Sequence, residues 1–328
     1  MRRKIIILCI LLLALSFSAE AAQQPPKIPR VGFISGTGDP QNPGPQIVGF
    51  REGLRKLGYL EGKNVVVEYR YAEGKVDRIP NFVNELVQLK VDVLVTGTTE
   101  GVRAAKRATH TVPIVMVTTA DPVPLGFVDR MARPGGNVTG LATLARDLSG
   151  KRLELLKEVV PMMSRVGILF DVDSASSAIG FKEYEEVAGT LKIEVQSLQV
   201  RGPKPELESA FQAASKERAS ALITLRGPVL NRHTKQIAEL AIKNRLPSMY
   251  EGSHFVEAGG LMSYGSNDAE TWSRAAYYVD KILKGAKPAE LPVEQPRKFE
   301  LVINLKTAKQ IGLTIPQTVL YQADKVIK

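Results

Sequence analysis

Apolar residues in this chain keep two alternating rhythms, short continuous runs and helical spacings. Val31–Ser35 is a compact run that reads as a strand. Ile47, Phe50, Leu54 and Leu57 then recur at helical spacing, before Gly58, a residue suited to stopping a helix. Val65–Tyr71 is a second strand, and Ile79, Phe82, Val83, Leu86 and Leu89 mark a helix leading into a third strand, Val91–Gly97. A helix over Thr99–Thr109 precedes Val112–Thr119, and Asn137–Thr143 is a fifth strand. The rhythm then restarts, with strands predicted over Arg165–Asp171, Ile193–Val200, Ala221–Arg226, Pro247–Glu251 and Leu261–Gly265. Corresponding starts in the two series lie 123 to 134 residues apart (31, 65, 92, 113, 138 against 165, 193, 221, 247, 261). A near-constant offset of this kind is what two similar lobes produce. The pattern therefore predicts an α/β chain of two doubly wound, parallel-sheet lobes, joined near residues 144–150.

The amino terminus has a different character. Met1-Arg2-Arg3-Lys4 is a positive start, Ile5–Phe17 is an apolar run, and Ala19-Glu20-Ala21 has small residues where a signal peptidase reads. The run is too short for a membrane span, which needs about 20 residues. Residues 1–21 are therefore expected to be a cleaved signal peptide, and no other stretch is long and apolar enough to span a membrane. Cys9, the single cysteine, lies inside the apolar run rather than at the cleavage point, which disfavours a lipid anchor. Cleavage removes Arg2, Arg3, Lys4 and Glu20, so the charge falls from +10 to +8 on 307 of the 328 residues. An exported chain without cysteine suits an oxidising compartment. The positive excess is spread along the chain, and export argues against nucleic acid as a partner.

In open parallel sheets, ligands bind beyond the carboxyl ends of the strands, so the strand-to-helix loops are where chemistry is expected. Loop one, from Ser35 to Asn42, nearly offers a GxGxxG fingerprint, but Gln41 stands where the third glycine belongs. Loop three brings Thr98 and Thr99 to a helix start, either as caps or as contacts for an anionic group. Loop four offers Thr118 and, in Asp121, an acceptor for an ammonium group. In the second lobe, Asp171, Ser174 and Ser176 follow the first strand, without the spacing or the final Glu of a calcium loop. Arg226 stands at a strand end, to salt-link a ligand carboxylate or to lie solvated. Tyr250, Glu251 and Tyr264, also at strand ends, are candidates for an aromatic wall and an acceptor, or for ordinary half-buried positions. No metal spacing, phosphate loop, paired carboxylates or nucleophile–base pair emerges, so no cofactor or metal is expected. The reading is binding without transformation.

Four segments, Ala120–Val123 (ADPV), Ala132–Gly140 (ARPGGNVTG), Phe255–Gly265 (FVEAGGLMSYG) and Lys298–Leu313 (KFELVINLKTAKQIGL), resemble the ABC-transporter substrate-binding proteins of the tryptophan/tyrosine-binding type. The resemblance implies a type I periplasmic-binding-protein fold, with two lobes joined by three crossings and a small solute enclosed between them. It also implies an inner-membrane ABC permease and its ATPase as partners, and a periplasmic location. Carried over by position, the cleft groups would be Ser35, Thr98, Thr99, Thr118, Asp121, Ser174 and Glu251. Where relatives tend to have an Asp-Pro-rich loop, this chain has Arg226-Gly227-Pro228, which brings an aromatic or dicarboxylic acid into consideration beside an amino acid.

The lobes implied are residues 30–143 with about 266–296, and 144–265 with about 297–328. Hinge segments are expected near Leu144–Ser149, Ser263–Asp268 and Pro292–Phe299. Capture by closure of the two lobes is the mechanism that follows. Its rivals are a ligand-sensing subunit for a membrane receptor, a secreted hydrolase or isomerase, and a repressor effector domain. The last would need a helix-turn-helix ahead of residue 31, where the leader lies.

Overall fold

The chain alternates β1 (Arg30–Ser35), α1 (Gly44–Lys56), β2 (Val66–Tyr71), α2 (Ile79–Gln88), β3 (Val93–Thr96), α3 (Thr99–Ala108), β4 (Ile114–Thr118) and β5 (Val138–Ala142). These strands align in parallel in the order β2-β1-β3-β4-β5. The computed structural model describes residues 27–143, 146–202, 204–296 and 298–328. The leader expected over 1–21, Leu144 and Ala145 of the first expected crossing, and Arg297 of the third lie outside the described residues.

A second series follows: α4 (Arg146–Val159), β6 (Arg165–Asp171), α5 (Ala175–Thr190), β7 (Glu194–Val200), α6 (Leu207–Lys216), β8 (Ala221–Thr224), α7 (Pro228–Arg232), α8 (Thr234–Lys243), β9 (Ser248–Tyr250), α9 (Ser253–Glu257) and β10 (Met262–Ser266). All ten strands read from the apolar pattern are present. The second sheet gains two more after the long helix α10 (Asp268–Leu283): β11 (Phe299–Asn304), then α11 (Leu305–Gln310), α12 (Gln317–Gln322) and β12 (Lys325–Ile327). Its order is β12-β11-β10-β9-β8-β6-β7, parallel except where β11 runs antiparallel to β10 with Ile303 opposite Met262.

Apolar runs become strands here because both sheet faces are covered. Successive residues point to opposite faces, so Phe33 joins a core with Ile47, Phe50 and Trp272, while its neighbour Ile34 joins another with Leu86, Leu94 and Met116. The chain leaves the second sheet after β10 to lay α10 on the first lobe. There α10 meets α1 so closely that a Cβ on Gly53 would lie 2.7 Å from Ser273 Cα, and one on Gly49 2.9 Å from Ala269 Cα. Past α10, the chain runs beside β5, where Glu294 N donates to Gly140 O (2.9 Å) and Ala142 N to Glu294 O (2.9 Å). It then returns to the second sheet as β11. Three passages thus connect the lobes, and the carboxyl ends of β1, β3 and β4 meet those of β6 and β8 across a narrow gap.

Candidate ligand-binding site

A cavity of about 60 Å³ lies where these strand ends meet. Its aromatic surface is Trp272, 2% exposed, on the second turn of α10. The indole is wedged between Phe33, 5.3 Å away between ring centroids, and Gly97, where a Cβ would come within 2.6 Å of Cζ2 and Cη2. Glycine at 97 is thus what lets the loop after β3 lie flat against the ring. Thr98 caps α3, its Oγ1 accepting from Gly101 N at 2.9 Å, and Thr118 Oγ1 accepts from Ala120 N at 3.2 Å. Each hydroxyl proton stays available for a ligand, because one oxygen both accepts and donates.

From the second residue of α3, Glu100 reaches the opposite lobe. Its Oε1 accepts from Ala175 N at 3.0 Å, so it occupies the amino end of α5. Ser174, the N-cap residue, leaves that end without a side-chain cap, and its Oγ lies instead 3.0 Å from Ser176 Oγ. A carboxylate beside a helix amino terminus is stabilised by the partial positive charge there.

Arg226 is committed to a neighbour. Its Nη1 and Nη2 donate to Asp268 Oδ1 and Oδ2 at 2.7 and 2.8 Å, a bidentate pair linking the end of β8 to the start of α10. Burial alone would raise the Asp268 carboxyl, but Arg226 and His254, whose Nδ1 is 3.5 Å away, outweigh it and hold that carboxyl well below the usual range. Arg226 N also donates to Glu251 Oε2 at 2.8 Å, while Glu251 Oε1 accepts from the buried Arg152 Nη1 at 3.0 Å. Arg152 further bonds Tyr184 Oη (3.1 Å) and Tyr264 O (2.7 Å). This chain of charges fixes the β8–β9 rim from beneath.

Of the twelve residues singled out from the sequence, Thr98, Thr118, Ser176 and Arg226 line the cavity. The others stand around it. Ser35 Oγ donates to Thr37 O at 2.6 Å, holding the first loop. Thr99 is buried behind the cap, and Ser174 is buried at the start of α5. Asp171 is buried too, its Oδ1 accepting from Asp173 N at 3.1 Å, and burial first of all pushes its carboxyl up to about 6. Asp121 is exposed, closes its own turn by accepting from Val123 N at 3.0 Å, and is not among the residues lining the cavity. The aromatic wall expected from Tyr250 and Tyr264 is not built from them. Tyr250 is fully buried and stacks on Phe255 at 4.8 Å inside the second lobe, and Tyr264 packs toward Phe299 at 6.1 Å. Glu251 borders a recess of about 10 Å³ that shares Thr119, Ser176 and Arg226 with the cavity.

The family model described as ABC transporter substrate binding protein matches residues 44–327. The chain belongs to this family. A curated relative of the substrate-binding protein, the tyrosine-binding protein of Clostridioides difficile (strain R20291), is 24% identical over 269 residues, covering 81% of this chain and 76% of the relative. Among solved structures, a conserved domain protein from Vibrio cholerae superposes with a TM-score of 0.84 and 28% identity, covering 92% of this chain and all of that one. An ABC domain in complex with L-Trp from Streptococcus pneumonia gives 0.82 and 24%, covering 91% and 99%. The fold of the substrate-binding protein is that of the type I periplasmic binding proteins.

Its site also uses residues that reading the loops alone did not select: Gln46, Glu100, Asn231, Asp268, Thr271 and Trp272. A signal for one of them was present, since Trp272 is the sole tryptophan of the chain. The assembled lining is one indole face, hydroxyls and amides from both lobes, and a guanidinium already neutralised by a carboxylate. Such groups orient and hold a small solute. No group of three or more His, Cys, Asp or Glu placed to hold a metal occurs among the described residues, and no helix there is long and apolar enough to cross a membrane.

Proposed function

We propose that this substrate-binding protein captures a small amino-acid-like solute on the periplasmic side, after loss of the leader, and presents it to an inner-membrane ABC permease and its ATPase. The observation that carries this is the cavity itself, lined by Trp272 together with polar groups contributed by both lobes. A second cavity of about 240 Å³ shares Thr37, Gln46, Arg226, Asn231 and Asp268 with the first, which supports a solute longer than the inner chamber alone. Arg226 favoured an acidic solute when read from sequence; its pairing with Asp268 cancels that positive charge and shifts the reading toward a zwitterion. The names of the relatives, one tyrosine-binding and one solved with L-Trp, agree with that class.

Closure supplies the mechanism. Contacts such as Glu100 to Ala175 N, and Gly36 against the ring of Pro228, join groups from both lobes and would separate when the lobes swing apart about the three passages. A solute touching both sides therefore favours the closed form by its differential contacts alone. Calorimetry of the mature protein against the amino acids and small dicarboxylates, combined with solution scattering, tests this. A binding amino acid should contract the scattering envelope and be recovered chemically unchanged. Binding without contraction, or turnover of the solute, would refute it.

A further inference from the structure

Among the described residues, two buried acceptors without a protein partner belong to residues lining the cavity, one from each lobe: Glu100 Oε2 on α3 and Asn231 Oδ1 on α7. The remaining buried polar atom of this kind among the cavity residues is a donor, Arg226 Nε. A buried acceptor left unmatched is costly, and an ionised carboxylate oxygen the more so. Among the described residues the one guanidinium in the lining has both terminal nitrogens on Asp268, so those residues offer Glu100 no free cation from the cavity wall. What fits beside two unmatched acceptors on one cavity, one of them a carboxylate oxygen, is a compact cation with several N–H donors. A primary ammonium has three and suits a chamber of about 60 Å³.

We propose that the solute carries a protonated primary amine seated between Glu100 Oε2 and Asn231 Oδ1, and that Glu100 is the residue that selects for it. This rests on the capture reading above and names the chemistry of one end of the solute. Glu100 has a second task, because its other oxygen occupies the amino end of α5 in the opposite lobe. Amine recognition and lobe contact therefore converge on a single carboxylate. A solute without the amine leaves Glu100 buried and unmatched on one side, which closure penalises.

The test uses sets of matched compounds on the full mature protein: each amino acid, its decarboxylated amine and its deaminated acid, for example L-tryptophan, tryptamine and indole-3-propionate. Amine-bearing members should bind at least about tenfold more tightly than the deaminated member of the same set, a difference worth about 1.4 kcal/mol. Glu100→Gln keeps an acceptor for Ala175 N but removes the charge. It should cut affinity for the amines at least about tenfold, leave the deaminated member no weaker, and preserve the unliganded melting temperature. Equal affinity of wild type for aminated and deaminated members overturns the assignment, as does a Glu100→Gln loss that is the same for both. In those cases solute capture itself still stands. If no compound in any set binds, capture and amine recognition fall together.

Discussion

Replacing Gly53 by alanine tests the geometry that brings Trp272 to the cavity. In an isolated helix this change would stabilise by about 1 kcal/mol, because alanine loses less backbone freedom than glycine. At Gly53, however, the new methyl would lie 2.7 Å from Ser273 Cα, 2.8 Å from Ser273 O and 2.8 Å from Ala276 Cβ. Two of these three atoms are backbone and cannot rotate aside, so α1 and α10 must part. Overpacking of this sort costs about 1–3 kcal/mol, and a clash with backbone belongs at the upper end. The net expectation is a loss of about 1–2 kcal/mol after the helix gain is subtracted. Gly189, near the end of α5, has no heavy atom within 4 Å of its hypothetical Cβ. Gly189→Ala should therefore keep the helix gain, up to about 1 kcal/mol. Urea unfolding followed by circular dichroism should move the two midpoints in opposite directions, Gly53→Ala down and Gly189→Ala up. Gly53→Ala should also weaken solute binding, since the displaced helix carries Asp268, Thr271 and Trp272. A Gly53→Ala midpoint at or above wild type would refute the claim that close backbone contact positions this helix.

Three further outcomes follow from the network around the cavity. The folded Asp171 carboxyl, raised to about 6, holds its proton more tightly than in the unfolded chain, so its protonated form favours the fold and that advantage is lost as pH rises from about 4 through 6. Stability of Asp171→Asn relative to wild type should therefore grow over that interval in urea titrations, and a difference independent of pH would contradict the assignment. Arg152→Met leaves Glu251 buried without its guanidinium and should cost about 3–5 kcal/mol, whereas the double variant with Glu251→Gln should recover part of it; a double variant no better than the single one would deny the coupling. The emission of Trp272, the sole tryptophan, should change on saturation by a non-fluorescent solute with the midpoint found by calorimetry, and an unaltered spectrum would mean the solute does not reach the indole.

The strand-to-helix rhythm was legible because parallel strands buried on both faces, such as β3 with all four residues buried, must be written as continuous apolar runs. β11 was not, since it follows a proline-containing passage and pairs antiparallel with β10, outside that rhythm. The same split holds at the site. That the loops after β3, β4 and β6 carry hydroxyls is visible locally, and Thr98, Thr118 and Ser176 do line the cavity. Which way a side chain turns at a strand end is decided by the partner it finds, near or far along the chain. Asp121 turns back on its own loop, Tyr250 turns into Phe255, and Arg226 finds Asp268 across 42 residues. Trp272 enters from a helix that the chain makes only after completing β10, so no inspection of the first lobe's own loops would place it there.

That late helix has a consequence for how the molecule is made. Residues 30–143 leave the ribosome long before Asp268–Leu283, yet Phe33, Ile47 and Phe50 are buried partly against Trp272, Ala275, Ala276 and Val279. Until those residues emerge, the nascent amino-terminal sheet has one apolar face covered by α1 alone, and its native packing cannot form without them. Synthesis of the carboxyl-terminal part is therefore a precondition for maturing the part made first. A chain stopped ahead of residue 268 would present a sticky, incomplete molecule rather than a smaller working receptor.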